Sequence, residues 1–180
     1  MHRNRTSSLQ LGVTLVEACM TLAIASILVG TAAPSFIESN RKRTLDGSAS
    51  ELVTDLYLAR SEATSRQQGA RVSFYMLTTG TCMLVHAGAT TDCGCSGDGV
   101  AQCSNGSSLI KASYYPASRG VSVSANVASI RFDPTHGMAT PAGTVRVESS
   151  DGKAVHHVVN IMGRVRSCSP GGSMPGYKVC

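Results

Sequence analysis

The residues Gly163-Arg164-Val165-Arg166, near the C-terminus, have types and a spacing that could bind phosphate. On an extended chain, residues two apart point to the same side, so Arg164 and Arg166 would project together with Val165 opposite. A guanidinium presents a planar fork of donors that suits bidentate contact with phosphate. Lys178 would add a third positive charge beside this pair. The pattern also fits a solvated strand edge, where basic side chains prevent edge-to-edge pairing, and composition alone favours that alternative.

The cysteines suggest covalent cross-links rather than a metal site. Of the 7 cysteines, Cys19 lies within an apolar segment, and an even number lie beyond it: Cys82, Cys93, Cys95, Cys103, Cys168 and Cys180. An even number of cysteines after a segment that directs the chain to a membrane predicts three disulfides and an oxidising compartment. The alternative is zinc, but zinc ligand pairs have C-x₂₋₄-C spacing, whereas Cys93 and Cys95 are separated by one residue. Cys168–Cys180 is the pair we expect, because it would close a Gly/Pro-rich loop and fix the arginine pair; the pairing of the other four stays open.

Motifs for catalysis are missing from the sequence. It contains no G-x-S-x-G, no H-E-x-x-H and no phosphate-binding glycine loop. His156 and His157 are adjacent, so on a strand their rings would face opposite sides, one toward the core or an interface, and could not easily share a metal. His86 and His136 stand alone near turns and are predicted to lie on the surface. We therefore expect no enzyme activity, no metal and no cofactor.

An apolar segment near the N-terminus indicates a membrane protein. Residues 18–37 carry no charge. This segment is about as long as a helix must be to cross ~30 Å of hydrocarbon. Residues 1–12 form a short basic leader that ends at Gly12, so the apolar stretch follows the leader, unlike in an ordinary secretory signal. Glu17 lies near the start of the stretch. Because a carboxylate in hydrocarbon is costly, Glu17 either has a partner there or lies at the level of the headgroups.

The sequence Gly12-Val13-Thr14-Leu15-Val16-Glu17, followed by the apolar helix, resembles a type IV prepilin signal. The resemblance implies that a prepilin peptidase cuts after Gly12 and methylates the new amine of Val13, a position where Phe is most common. It also implies that Glu17, fifth in the mature chain, supports assembly: its carboxylate could pair with the N-terminus of a neighbouring subunit, so that both charges leave the lipid as a neutral pair. Pro34 falls where pilin helices carry a helix-bending proline.

The rest of the chain predicts an α+β fold. An apolar stripe with helical spacing comprises Leu45, Ala49, Leu52, Leu56, Ala59 and Ala63, so one helix is expected over residues 13–67. From residue 71 the period of the apolar residues changes to two, which is typical of strands. The predicted strands cover residues 72–77, 82–86, 109–114, 121–124, 129–132, 144–148 and 155–161. Residues 87–108 are predicted to be a long loop held by disulfides. The expected units are a leader (1–12), the transmembrane and assembly half of the helix (13–37), its amphipathic half (38–68) and a β-rich domain (69–180).

Two further segments resemble the GspH/FimT-type minor pilins. One is Leu56-Tyr57-Leu58-Ala59-Arg60-Ser61-Glu62-Ala63, at the end of the helix. The other is the tail pattern of Ile130-Arg131-Phe132, Thr144-Val145-Arg146-Val147 and Gly163-Arg164-Val165-Arg166. The resemblance implies a type IV pilin-like fold, a long helix packed on an antiparallel β-sheet. In FimT-type pilins a C-terminal Gly-Arg-x-Arg motif is associated with binding DNA for uptake in natural transformation, which favours Arg164 and Arg166, with Lys178, as the DNA-binding residues.

The expected partners are other major and minor pilins, the prepilin peptidase, the inner membrane and double-stranded DNA. The net charge of +5 permits an anionic partner without requiring one. The alternatives are a structural pseudopilin of a type II secretion system and a tip adhesin. Arg41-Lys42-Arg43 match the positive charge of the leader, so the positive-inside rule alone leaves the orientation open. The cysteines need an oxidising side, which predicts a single-pass inner-membrane protein with a periplasmic C-terminal domain.

Overall fold

The computed structural model describes residues 12–104 and 106–180. The predicted leader lies outside these residues, apart from Gly12. The chain divides between Asn40 and Arg41 into two compact units.

One helix, α1, covers Leu15–Ser65 and continues through Pro34. At its start, the Oγ1 of Thr14 accepts a hydrogen bond (3.3 Å) from the backbone amide of Glu17, as an N-cap residue does. At its end, Gln67 adopts a φ of 53°, and the amide of Gln68 donates to the carbonyl of Ala63 (3.2 Å). The helix therefore ends with a left-handed residue that turns the chain toward the first strand.

The part of α1 before Arg41 has an apolar surface. None of the residues between Gly12 and Asn40 is buried, although most of them are apolar. By length and composition, α1 is the one helix in the described part of the chain that could cross a membrane. Such a surface is stable only where lipid or protein covers it.

The part of α1 after Asn40 has a buried face. The predicted stripe is fully buried, each member being 0% exposed: Leu45, Ala49, Leu52, Leu56, Ala59 and Ala63. Full burial of a leucine side chain contributes roughly 1.5–3 kcal/mol, so the three leucines account for much of the packing on this face.

The strands of the second unit form two larger sheets and a hairpin. Their bounds are β1 Ala70–Leu77, β2 Gly80–Ala87, β3 Cys93–Cys95, β4 Ala101–Cys103, β5 Leu109–Pro116, β6 Val121–Ala125, β7 Ser129–Phe132, β8 Ala139–Thr140, β9 Gly143–Ser149, β10 Ala154–Val159, β11 Val165–Ser169 and β12 Lys178–Val179. The first sheet is 5-stranded in the order β5-β2-β1-β7-β8, the second is 5-stranded in the order β12-β11-β10-β9-β6, and β3 pairs with β4. Among the described strands, β11 and β12 alone pair in parallel.

The helix and both sheets share one hydrophobic core. It joins the stripe of α1 to Val72 and Phe132 of the first sheet and to Val145 and Val159 of the second. The buried residues of the described chain all lie at Leu45 or beyond. A fragment of residues 41–180 therefore retains the whole core.

A buried carboxylate attaches α1 to the first sheet. Asp55, on the buried face of the helix, accepts hydrogen bonds from the Nζ of Lys111 (2.5 Å) and the Oγ of Ser113 (2.7 Å), both on β5. A buried charge is tolerated only when it is paired and hydrogen-bonded, as here. The pair therefore fixes the position of β5 along the helix.

Five short strands, β3, β4, β8, β11 and β12, were not among the predicted ones. β3, β4, β8 and β12 have two or three residues each, too few for a period-two pattern, and β11 has a single aliphatic residue, Val165. The strand predicted over residues 155–161 ends at Val159, because Asn160–Gly163 form a turn in which the amide of Gly163 donates to the carbonyl of Asn160 (2.9 Å). The predicted loop 87–108 contains the hairpin of β3 and β4.

The prediction that His86 lies on the surface is wrong. His86 is 0% exposed, and its Nε2 hydrogen-bonds with the Oγ of Ser73 (2.9 Å). It lies on β2, which is flanked by β1 and β5, on the same face as Cys82 and Leu84. That face is covered by residues 87–108, which we call the cysteine-rich segment, so both sides of β2 are buried. His136 is exposed, as expected.

His157 on β10 should make the stability of the domain depend on pH. Its ring is buried, and its Nδ1 hydrogen-bonds with the Oγ of Ser167 (2.8 Å). Burial lowers the pKa of His157 from 6.5 to about 4. Between these two pH values the unfolded chain binds a proton that the folded chain does not, so the free energy of unfolding falls as the pH falls.

We therefore expect acidification from pH 7 to pH 4.5 to lower the free energy of unfolding of the 41–180 fragment by about 2–3 kcal/mol through this residue. The variant His157→Gln should lose that part of the pH dependence, whereas His136→Gln, a change at an exposed histidine, should keep all of it. Urea unfolding at the two pH values measures the difference. An unchanged pH dependence in His157→Gln would contradict the assignment.

Candidate nucleic-acid interface

Arg164 and Arg166 are held by the turn and strand at the end of the β10–β11 hairpin. The side-chain Oδ1 of Asn160 accepts a hydrogen bond from the amide of Arg164 (2.9 Å), and the amide of Asn160 donates to the carbonyl of Arg164 (3.1 Å). Val165, between the arginines, is buried, and its carbonyl accepts a hydrogen bond from the hydroxyl of Tyr57 on α1 (3.4 Å). Both arginines are therefore directed to the exposed side of β11.

Only a glycine fits at position 163. Its φ of +70° lies in the left-handed region, and a Cβ there would lie 2.0 Å from the carbonyl oxygen of Gly137. The turn that precedes Arg164 therefore packs directly on the Asp133–Gly137 turn. The side chain of Arg60, from α1, lies beside the same contact. The glycine of the Gly-Arg-x-Arg motif thus has a structural role that is separate from that of the arginines.

Lys178 is brought beside the arginine pair by the last strand. β12 pairs in parallel with β11, so that Lys178 lies opposite Cys168. The amide of Cys180 donates to the carbonyl of Ser169 (3.2 Å), and a disulfide joins Cys168 to Cys180. Lys178 is thereby fixed on the same exposed face as Arg166.

These residues form one groove, which we call the basic groove. It has a volume of about 650 Å³ and is lined by Val158, Arg164, Arg166, Ser167, Cys168, Lys178, Val179 and Cys180. Three of the lining side chains are cations and none is acidic. A surface of this kind attracts anions, and guanidinium and ammonium groups are the usual contacts to the phosphates of nucleic acids.

The structure brings the three predicted DNA-binding residues together with Cys168 and Cys180. Gly12, Val13 and Glu17 belong to the other unit: Gly12 and Val13 precede α1, Glu17 lies in its first turn, and all three are exposed. The apolar lining of the groove, Val158 and Val179, was not identified from the sequence. Alternation along β10 could have indicated Val158, since its neighbours Val159 and His157 are buried.

The other four predicted disulfide cysteines form two disulfides, one within the hairpin of β3 and β4 and one between that hairpin and β2. Cys82 is joined to Cys95, and Cys93 to Cys103. Cys93 and Cys103 also lie directly opposite each other in the β3–β4 hairpin, whereas Cys82 belongs to β2. A hydrogen bond from the hydroxyl of Tyr75 to the carbonyl of Cys93 adds a further link. The hairpin is therefore attached to the outer face of the first sheet.

His156 and His157 face opposite sides of β10. His157 is buried in the core, whereas His156 is partly exposed on the side of Arg166 and Lys178. The pKa of His156 is lowered by burial and by the charge of Arg146. The two rings therefore lie in different environments and do not form a common ligand set.

The fold and these features define a class of protein. A helix with an apolar first part, whose second part packs on antiparallel sheets, is the arrangement of type IV pilins and pseudopilins. A family model described as "Type II transport protein GspH" matches residues 48–163, and the chain belongs to this family of minor pilins and pseudopilins. The family and the type IV pilin-like fold predicted from the sequence are both confirmed.

A solved structure shows the same fold. The type IV minor pilin FimU of Pseudomonas aeruginosa (strain PAO1) is similar with a TM-score of 0.52 and 18% sequence identity, over 71% of this chain and 92% of the FimU chain. No curated protein sequence matches the chain. The range matched by the family model ends at Gly163, so the basic groove residues Arg164, Arg166 and Lys178 lie beyond it.

The disulfide between Cys168 and Cys180 should stabilise the groove. The two cysteines are 12 positions apart in the sequence. In the chain-entropy model, closing a ring of this size raises the free energy of unfolding by roughly 3 kcal/mol. We expect the double variant Cys168→Ser plus Cys180→Ser to lower the free energy of unfolding by about that amount. Urea unfolding measures the loss, and thiol titration of the unfolded wild-type fragment should find no free thiol. Bound zinc with reduced cysteines would contradict this assignment.

Proposed function

We propose that this protein is a minor pilin of a type IV pilus that binds double-stranded DNA in its basic groove during DNA uptake for natural transformation. The observation that carries the proposal is the convergence of Arg164, Arg166 and Lys178 on one groove that no acidic side chain lines. A solvated strand edge would not require the three cations to converge. The Gly-Arg-x-Arg motif supports the same function through its resemblance to FimT-type pilins.

The contacts in the groove suit the phosphate backbone rather than the bases. All three cations are exposed and lie on or beside β11 and β12, at one edge of the second sheet, and not on a helix that could enter the major groove of DNA. Backbone contacts position a duplex but carry no direct sequence information. Binding should therefore be weak, sensitive to salt and without a strong preference for sequence.

We expect the 41–180 fragment to bind a short duplex with a slope of log K against log salt of about −2 to −3, since two or three phosphates are neutralised. The double variant Arg164→Gln plus Arg166→Gln should lose most of this binding and keep its fold, because both side chains are exposed. Anisotropy titrations at two salt concentrations measure the affinity and its slope. In cells, the variant should lower transformation more than pilus number.

The second candidate function is that of a structural pseudopilin in a type II secretion system. The description of the matching family, a type II transport protein, favours it. Equal binding by the wild type and the double variant, or no binding at low salt, would contradict the DNA function and favour this second one. Neither candidate includes enzyme activity.

Membrane insertion and assembly are proposed to depend on the first part of α1. The exposed apolar residues there suit a single pass through the inner membrane, and the disulfides suit a periplasmic C-terminal domain. Cleavage by the prepilin peptidase between Gly12 and Val13 would create a positive N-terminus. Glu17 would then pair with the N-terminus of a neighbouring pilin subunit in the fibre.

Replacing Glu17 with Val should separate processing from assembly. Insertion and cleavage should be unchanged, because removing an acid makes the helix more apolar, whereas incorporation into fibres should fall for lack of the counter-charge. Intact mass of the membrane-extracted protein reports cleavage and methylation, and immunoblots of sheared fibres report incorporation.

An uncleaved chain starting at Met1, in cells with active peptidase, would overturn the prepilin assignment. Normal incorporation of the Glu17→Val variant would show instead that Glu17 is only an interfacial residue. The variant Glu17→Asp is the matched control, because it keeps the charge and should retain part of the incorporation.

A further inference from the structure

The positive charge of the basic groove continues across the second sheet. Cys168 and Lys178 are opposite each other on β11 and β12, and Cys168 lies opposite His156 on β10. His156 in turn lies opposite Arg146 on β9. Paired residues of neighbouring strands project from the same face, so the outer face of the sheet carries a row from Lys178 through His156 to Arg146.

Packing holds the side chain of Arg146 on this outer face. Its neighbours along β9, Val145 and Val147, are both 0% exposed, which leaves Arg146 directed to solvent. Arg146 forms no ion pair within the described part of the chain. Its charge is therefore available to an external anion.

The spacing of the arginines suits separate phosphates of one duplex. Arg166 and Arg146 lie two strands apart and are offset by two residues, which places their Cα atoms about 12 Å apart on strand geometry. Extended arginine side chains at this separation can reach different phosphates. Duplex DNA carries one charge per about 1.7 Å of helix axis, so a duplex that lies along a row of cations meets further phosphates.

An acidic residue marks the limit of the positive row. Glu148, the next outward residue along β9, is exposed and lies opposite Ala154 and Ser122. Its carboxylate would repel a phosphate backbone placed further along the strand. The charges on the face therefore favour one path, from the basic groove across β10 to Arg146.

We propose that the DNA-binding surface extends beyond the basic groove to Arg146, so that the duplex crosses β11, β10 and β9. This inference rests on the proposed DNA function. His156, between the two sets of cations, supplies a hydrogen-bond donor at the middle of the path. It faces Arg146 and Glu148 from β9 and the Cys168–Cys180 disulfide from β11.

The test compares single variants of the full chain in non-ionic detergent by anisotropy with a short duplex. With Arg146 included, the slope of log K against log salt should be about −3.6, and Arg146→Gln should reduce it to about −2.7. Affinity at 0.1 M salt should fall five- to ten-fold, which is the contribution of about one phosphate contact. Arg146→Lys should stay within about two-fold of the wild type, because the charge is kept.

Two further variants make the test specific to this path. Glu148→Gln should tighten binding, since it removes the repelling charge. Arg131→Gln removes an equally exposed arginine from β7 of the first sheet and should leave affinity and slope unchanged. Circular dichroism and thermal unfolding confirm that each variant is folded.

The outcomes separate this inference from the proposed function. If Arg164→Gln plus Arg166→Gln abolishes binding while Arg146→Gln does not weaken it, the inference fails and the DNA function stands. Equal losses in Arg146→Gln and Arg131→Gln would also overturn the inference, because net charge alone would then control affinity. Absence of binding by the wild type at low salt would overturn both.

Discussion

The buried face of α1 is the constraint on which the folded domain depends. The three leucines and three alanines of its stripe, from Leu45 to Ala63, are fully buried in a core that both sheets share. No backbone ladder pairs a described strand of one sheet with one of the other, so the sheets are held together by this common core, by the turns and by a hydrogen bond from the Oγ1 of Thr81 on β2 to the carbonyl of Val123 on β6 (2.6 Å). Asp55, paired with Lys111 and Ser113, adds a polar contact that fixes the helix against the first sheet.

The same helix determines where the basic groove lies. Tyr57 donates a hydrogen bond to the carbonyl of Val165, and Arg60 lies beside the contact between Gly137 and Gly163. The turn before Arg164 is therefore held by α1 on one side and by a turn of the first sheet on the other. A side chain at residue 163 would disrupt this contact and displace both arginines without changing their charge. The glycine and the arginines of the motif accordingly depend on different physical interactions.

Local periodicity accounts for what the sequence predicted well. The stripe of α1 was predicted residue by residue, because a helix repeats every 3.6 residues and its buried face leaves a clear pattern. The seven predicted strands are all present, although the one over residues 155–161 ends two residues early, at Val159. The side-by-side projection of Arg164 and Arg166 also followed from the geometry of an extended chain.

What the sequence did not predict depends on contacts between distant segments. The pairing of Cys82 with Cys95, the burial of His86 under the cysteine-rich segment and the parallel pairing of β12 with β11 all depend on strand order and register. The alignment of Arg146 with His156 likewise appears only when β9 and β10 are paired. None of these contacts leaves a periodic signal in the sequence.

The central claim is that DNA contacts the basic groove, and mapping the contact by nuclear magnetic resonance tests it most directly. The isotope-labelled 41–180 fragment would be titrated with a short duplex at low salt, and backbone amide shifts would be followed. The account predicts that the largest changes occur in the β10–β11 turn, in β11 and in β12, with little change in β1, β2 and β5. Changes concentrated in the first sheet or the cysteine-rich hairpin, or no change at all, would contradict it.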